Sequence, residues 1–325
     1  MARRYRFRQV DVFTDRPFAG NPLAVFPIAE GLADEEMQSI AREMNLSETT
    51  FVLPPTDAGL AEGATYRMRI FTPGLELPFA GHPSIGTAWV LADERRFALR
   101  EPAIEVSQEV AIGVLPLAIE VRDGRPGAVQ MTQGTPHLLD ALDPADLPAL
   151  AAALEVGEDA FGWTDTDGTA YGAAQVPPRA ATTGAPYLVV PFREAATLAA
   201  VRSERNAAAA VVARRYGSDS VALVAPGNLG VIADADVHAR VLVDPAVGIQ
   251  EDPATGGAAG PIAVYLGTLG GAQDERRHLI IEQGVEVGRP SRLEVEVSFY
   301  SEGTARSVRL TGRTVPILEG WLELD

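Results

Sequence analysis

Polar and apolar residues alternate through Arg8-Gln9-Val10-Asp11-Val12-Phe13, which predicts an opening strand. Pro17, Gly20, Asn21 and Pro22 form a loop, and Leu23-Ala24-Val25-Phe26 starts a second strand. A helix follows, capped by Asp34, with Met37, Ile40, Ala41 and Met44 on one apolar face and Asn45 as its stop. Thr49-Thr50-Phe51-Val52-Leu53 is rich in β-formers and ends at Pro54-Pro55. Tyr66–Phe71 alternates again, and Thr72–Pro83 is a loop dense in Gly and Pro. From Ser84 the period turns helical, with Ile85, Ala88, Trp89 and Ala92 on one side.

Later strands are expected at 103–107, 114–121, 127–132, 186–191, 221–225, 229–233, 238–243, 278–282, 293–299 and 306–311. Later helices are expected at 144–154, 194–202, 206–216 and 256–268, the first announced by Asp143-Pro144. Many short strands with a few helices between them predict an α+β fold with mixed and antiparallel pairing. The Asp-Gly and proline signals in Arg122–Pro126 mark a boundary. The expected domains are 1–124 and 125–314, with 315–325 completing the first. An internal echo supports a two-part chain. Arg69-Ile70-Phe71-Thr72-Pro73 leads through Pro78 to Ala80-Gly81 and an apolar helix; Arg240-Val241-Leu242-Val243-Asp244-Pro245 leads through Pro253 to Thr255-Gly256-Gly257 and another. Few positions match and the alignment needs an insertion, so duplication and coincidence both remain open on the echo alone.

Composition narrows the chemistry. The chain has 325 residues, enough for two domains, and 46% hydrophobic residues, enough for a sizeable core. The formal net charge of −17 would repel a phosphate backbone, which argues against nucleic acid as a partner. There is no cysteine, so thiol nucleophiles, thiol racemases, zinc-thiolate sites and iron–sulfur clusters are excluded. All 27 basic residues are arginine; without lysine there is no Schiff base and no ordinary Walker A loop. The opening residues Met1–Phe13 are basic and mixed, and the longest apolar stretch, near 207–213, is far short of the roughly 20 residues that span a bilayer. A cytoplasmic protein with no membrane partner is expected.

The first candidate site is the pair of helix starts. First-turn N–H groups and the helix dipole bind carboxylate or phosphate, and Gly81-His82 and Gly256-Gly257 leave the backbone open to a ligand. The alternative is that these glycines only permit tight packing. The second is a set of proton-transfer groups: Glu48, where a helix exit becomes a strand, His82 at one helix start, and Asp252 just before the other. Each has a plainer reading as well: a solvated Glu, a hydrogen-bonded His, a capped Asp-Pro turn. The four histidines, His82, His137, His238 and His278, are never at metal-ligand spacing.

Five stretches resemble the phenazine-biosynthesis PhzF-like isomerases, whose fold is that of the diaminopimelate epimerases. They are Val10-Asp11-Val12-Phe13-Thr14 with Phe18-Ala19-Gly20-Asn21-Pro22-Leu23-Ala24-Val25; Asn45-Leu46-Ser47-Glu48-Thr49-Thr50-Phe51-Val52; Arg69-Ile70-Phe71-Thr72-Pro73 with Pro78-Phe79-Ala80-Gly81-His82-Pro83; Glu251-Asp252-Pro253-Ala254-Thr255-Gly256; and Gln283-Gly284 with Gly288-Arg289-Pro290-Ser291. The resemblance implies two pseudo-symmetric domains, each a strand-rich half-barrel around a central helix, with the active site in the cleft between them. It implies Glu48 moving a proton between carbons of a small carboxylated metabolite, His82 and Asp252 lining the same cleft, and Gly81, Thr255, Gly256 and Gly257 holding the carboxylate. It also implies a homodimer with no cofactor and no metal. One departure stands out: the family commonly has Ser where this chain has Gly257, which leaves only backbone donors there. Two rival functions fit the same residues, a two-base epimerase using Glu48 and Asp252 on opposite faces of one carbon, and a non-catalytic carboxylate-binding protein.

Overall fold

The alternation at the start of the chain belongs to a longer strand than the pattern predicts, Arg3–Val12, which begins five residues earlier and ends one residue before Phe13. The computed structural model describes residues 3–324 and divides them into two units, one of residues 3–132, 246–248 and 311–324, the other of residues 133–245 and 249–310. Asp123-Gly124, where a boundary is expected, is the turn of a hairpin between Gly113–Arg122 and Arg125–Thr132, and the first unit runs on to Thr132.

The first unit is one curled sheet around one helix. Its strands lie side by side in the order Thr314–Leu324, Arg3–Val12, Asn21–Phe26, Glu48–Leu53, Tyr66–Phe71, Ala103–Val110, Gly113–Arg122 and Arg125–Thr132. The pairing of Asn21–Phe26 with Glu48–Leu53 is parallel, as is that of Tyr66–Phe71 with Ala103–Val110; the rest are antiparallel. The helix Gly81–Asp93 fills the concave side. The sequence predicts one apolar face, but every residue from Gly81 to Ala92 is buried, because the sheet wraps the helix instead of meeting it on one side. A Cβ on Gly86 would come within 2.7 Å of Leu23 and Val12 side chains, so the missing side chain lets helix and sheet approach. The helix starts at Gly81, three residues before the expected Ser84, with Pro83 in its first turn, where a missing N–H is harmless. The outer helix Asp34–Met44 is capped by Ala33 instead of Asp34, and Glu36 reaches back to the Ala33 N–H; Asn45 stops it in a left-handed conformation, φ 51°. Phe26, Met37, Ile40, Phe51 and Phe71 fill the core beneath it.

The second unit repeats the plan. Its strands run His137–Ala141, Arg179–Thr182, Pro186–Pro191, Val221–Pro226, Val237–Leu242, Arg276–Gln283 and Ser291–Phe299. The parallel pairings fall at the same two steps, Pro186–Pro191 with Val221–Pro226 and Val237–Leu242 with Arg276–Gln283. Its central helix is Gly256–Leu269, buried on almost every side. The internal echo is therefore a repeat of topology: Tyr66–Phe71, a two-residue strand Glu76–Leu77 and Gly81–Asp93 correspond to Val237–Leu242, Glu251–Asp252 and Gly256–Leu269. Each unit has the α+β half-barrel form that the resemblance implies.

One expected strand is absent. Residues 229–233 form a loop, and the N–H groups of Leu229, Val231 and Ile232 donate to the buried carboxylate of Glu282. β-rich residues there bind a side chain instead of a neighbouring strand. Among the described residues no helix is long and apolar enough to cross a membrane.

Candidate active site

Each unit carries its own cluster of the expected residues. In the first, Glu48 opens the strand Glu48–Leu53, and His82 is the second residue of the central helix. Parallel pairing sets Glu48 opposite Leu23, two residues beyond Asn21 on the neighbouring strand. His82 Nδ1 lies 3.4 Å from Glu48 Oε2 and 3.3 Å from Asn21 Nδ2. The first contact is close but not aligned as a hydrogen bond, a geometry that substrate binding can tighten. His82 is buried and its Nε2 meets no hydrogen-bond partner among the described residues. Desolvation pushes its pKa down to about 3, so the ring is neutral at pH 7. A neutral His82 gives Glu48 a polar neighbour without a fixed counter-charge.

The helix start beside them is open. Ala80, the N-cap, has no side chain to offer the first-turn N–H groups, and Ser84 Oγ turns back to the Ala80 carbonyl at 2.8 Å. Gln108 Nε2 in turn donates to Ser84 Oγ at 2.8 Å. The amides of Gly81 and His82 are therefore left uncapped, in the position to receive an anion.

In the second unit Asp252, Thr255, Gly256 and Gly257 come together in one turn. Asp252 is buried, and its Oδ2 accepts a 2.6 Å hydrogen bond from Thr255 Oγ1. Thr255 is the N-cap residue, but its hydroxyl does not cap the helix. Gln133 Nε2 donates to the Gly256 carbonyl at 2.7 Å, and Thr183 Oγ1 donates to Gln133 Oε1, which fixes the turn from below. Gly257 has a specific environment. A Cβ there would lie 2.9 Å from the Tyr187 hydroxyl, so the space a side chain would need is taken up by a phenol from the strand Pro186–Pro191.

The structure thus brings Glu48 together with His82 and Gly81 in the first unit, and Asp252 with Thr255, Gly256 and Gly257 in the second. Sequence reasoning gave no role to Asn21, Gln133, Tyr187 or Gln283. Asn21 and Gln283 lay in quoted motifs, and a buried amide flanked by Gly is a signal for a structural hydrogen-bond donor. Gln133 and Tyr187 carry no local signal, since only the fold sets them beside the helix. Among the described residues no three His, Asp or Glu groups are arranged to hold a metal ion.

The chain is similar to known proteins along almost its whole length. Residues 10–320 match the family described as phenazine biosynthesis-like protein. A trans-2,3-dihydro-3-hydroxyanthranilate isomerase of Pseudomonas aeruginosa is 35% identical over 97% of this chain and 98% of its own length. An uncharacterized isomerase of Mesorhizobium japonicum is 34% identical over 96% of both chains. The crystal structure of a Bacillus anthracis PhzF-family protein superposes with a TM-score of 0.81 at 26% identity, covering 98% of this chain and 99% of that one. A hydroxyproline epimerase of Agrobacterium vitis shares the fold alone, with a TM-score of 0.66 at 15% identity over 99% and 93% of the two chains.

Proposed function

Because the chain belongs to the phenazine biosynthesis-like family of isomerases and epimerases, we propose that it is a cofactor-independent isomerase that moves a proton between carbons of a small carboxylated substrate. Glu48 carries the proton. His82 and Asp252 serve the same reaction, and the amides at Gly81 and at Gly256 and Gly257 hold the substrate carboxylate. The observation that carries the reading is the contact of Glu48 with a buried, neutral His82 beside an uncapped helix start.

The chemistry balances without a co-reactant. Glu48 removes a proton from a carbon activated by the carboxylate or by a conjugated double bond, and the electron pair shifts into the π system. The same carboxyl then returns a proton to another carbon. Negative charge that develops on the carboxylate is met by backbone N–H groups already pointing at it, and fixed dipoles need no reorganisation during the reaction. An anion site made of amides adds no basic side chain and suits a chain this acidic.

The test uses trans-2,3-dihydro-3-hydroxyanthranilate, the compound named in the Pseudomonas relative, as the probe. Glu48→Gln is expected to lower kcat by about 10²–10⁴, the scale of losing a general acid–base. A folded variant within about threefold of wild type would remove Glu48 from the role. Turnover in deuterated water separates the two-base reading, which the presence of two carboxylates favours. Two bases acting on opposite faces put solvent deuterium on the carbon that lost the proton, whereas a single carboxyl returns part of the substrate hydrogen to the product.

A further inference from the structure

Gln283, at the end of the strand Arg276–Gln283, is buried and reaches the Asp252 turn with both ends of its amide. Its Oε1 accepts from the Thr255 backbone N–H at 3.1 Å. Its Nε2 donates to the Asp252 carbonyl at 2.7 Å and to Thr255 Oγ1 at 3.0 Å. A backbone N–H can only donate and a backbone carbonyl can only accept, so the orientation of this amide is fixed by its partners. One Nε2 proton goes to each acceptor. Thr255 Oγ1, receiving that proton, turns its own toward the remaining neighbour, Asp252 Oδ2, at 2.6 Å. That distance is in the range of a hydroxyl donating to a charged carboxylate.

We propose that Gln283 is a positioning residue that, through the Thr255 hydroxyl, holds Asp252 as a hydrogen-bond acceptor. The inference rests on the reading that Asp252 serves the isomerase reaction, and it separates the two carboxyls. Asp252 is kept as the acceptor, to take a proton or a donor group of the substrate, while Glu48, beside a neutral ring, is the carboxyl that carries the proton between carbons. The same wiring has a second effect. A Thr at an N-cap ordinarily accepts from the first-turn amides. Here its hydroxyl is committed to Asp252, and the Gly256 and Gly257 amides stay uncapped. Thr255 therefore shapes the anion site by declining to fill it.

Several charged groups lie on the elements around Asp252. Glu251, its chain neighbour, is paired with Arg240 and takes a 2.5 Å hydrogen bond from Ser203 Oγ. Glu282, beside Gln283, takes three backbone N–H groups and faces His238 Nδ1 at 3.1 Å. Glu286 faces His238 Nε2 at 2.7 Å, and Arg289 closes the loop after Gln283.

The deciding experiment is a ¹³C NMR titration of the Asp252 carboxyl in the full chain without substrate, assigned with Asp252→Asn. Thr255→Val and Gln283→Leu are expected to raise its midpoint by about one pH unit, since each weakens a donor to the charged form. Thr255→Ser, which keeps the hydroxyl, is expected to stay within a few tenths of wild type. An unmoved midpoint in Thr255→Val or Gln283→Leu, or a raised one in Thr255→Ser, overturns the proposal. If the first two variants do not fold, neutron diffraction on the wild type decides. The Thr255 deuteron must lie toward Asp252 Oδ2, and any other direction overturns it. No substrate enters either measurement. Failure here leaves the reaction standing, and failure of the wild type to turn over its probe leaves this result standing.

Discussion

In the first unit Arg69 holds Glu76 with two hydrogen bonds of 2.7 Å; in the second Arg240 holds Glu251 the same way, at 2.9 and 2.6 Å. Both pairs tie a two-residue strand to its partner just before the central helix. Their surroundings differ. The Arg69 and Glu76 side chains are 16% and 40% exposed, whereas those of Arg240 and Glu251 are 2% and 1% exposed. Arg240 also donates to the carbonyls of Leu198, Ala199 and Val201, closing the end of the helix Ala195–Ala199. One scaffold was built twice, and only the second copy was roofed over.

The chemistry is not duplicated with the scaffold. Strand register sets Leu77 where the second unit has Asp252, opposite Ile70 and Val241 respectively. The same register, counted from Arg69 and Arg240, aligns Glu48 with Ser220, and the helix starts align His82 with Gly257. Each unit thus has one of the two carboxyls proposed to act, from a different element. A repeat that supplies the same uncapped helix start twice can thus carry different side chains in its two copies.

The comparison can be broken most sharply at the arginines. Arg240→Leu strands the Glu251 carboxylate and three carbonyls in the interior, and is expected to cost about 3–5 kcal/mol in urea unfolding. Arg69→Leu, where water can solvate the partner, is expected to cost under about 1 kcal/mol. Equal losses would mean that burial is not what distinguishes the two turns.

The next effect separates His82 from its side-chain-free counterpart Gly257. A buried neutral imidazole has a folded pKa below its unfolded value, so the unfolded chain binds the proton first as pH falls. The stability contributed by a neutral His82 is complete above pH 6.5 and is lost as pH falls from 6.5 toward 3. Urea unfolding at pH 6.5 and 4.5 should show wild type losing up to about 1.4 kcal/mol per pH unit more than His82→Gln. Parallel losses would show that His82 does not titrate in this way.

The smallest effect sharpens the comparison at Gly257 itself. Gly257→Ala forces the Tyr187 phenol to shift, at an expected cost of about 1 kcal/mol, and the loss should shrink in a Tyr187→Ala background. Additive losses would show that Tyr187 does not set the limit on this position.

Much of this was legible in the chain. The strand and helix around Glu48, the left-handed stop at Asn45 and the glycine-bearing starts of both central helices follow from local period and turn residues. The echo from Arg69 to Gly81 and from Arg240 to Gly256 was visible as well. The 229–233 segment was misread because Val231 and Ile232 look like strand residues, and nothing local reveals that a glutamate fifty positions later claims their amides. The first central helix reads as one-sided because Ala, Gly and Ser contribute little to a periodic apolar signal yet are the residues that a wrapped helix needs.

What the sequence determined alone was the inventory: no cysteine, no lysine, an excess of acidic residues, two glycine-bearing helix starts, and three candidate acid–base side chains beside helix or strand ends. Those follow from residue type and spacing. Tertiary structure decided which groups touch. It set His82 against Glu48 and stripped it of water, gave the Thr255 hydroxyl to Asp252 instead of to its own helix, and brought Tyr187 against Gly257. These are contacts between strands and helices far apart in the chain, and their energies come from burial and hydrogen-bond direction, which no run of neighbouring residues encodes.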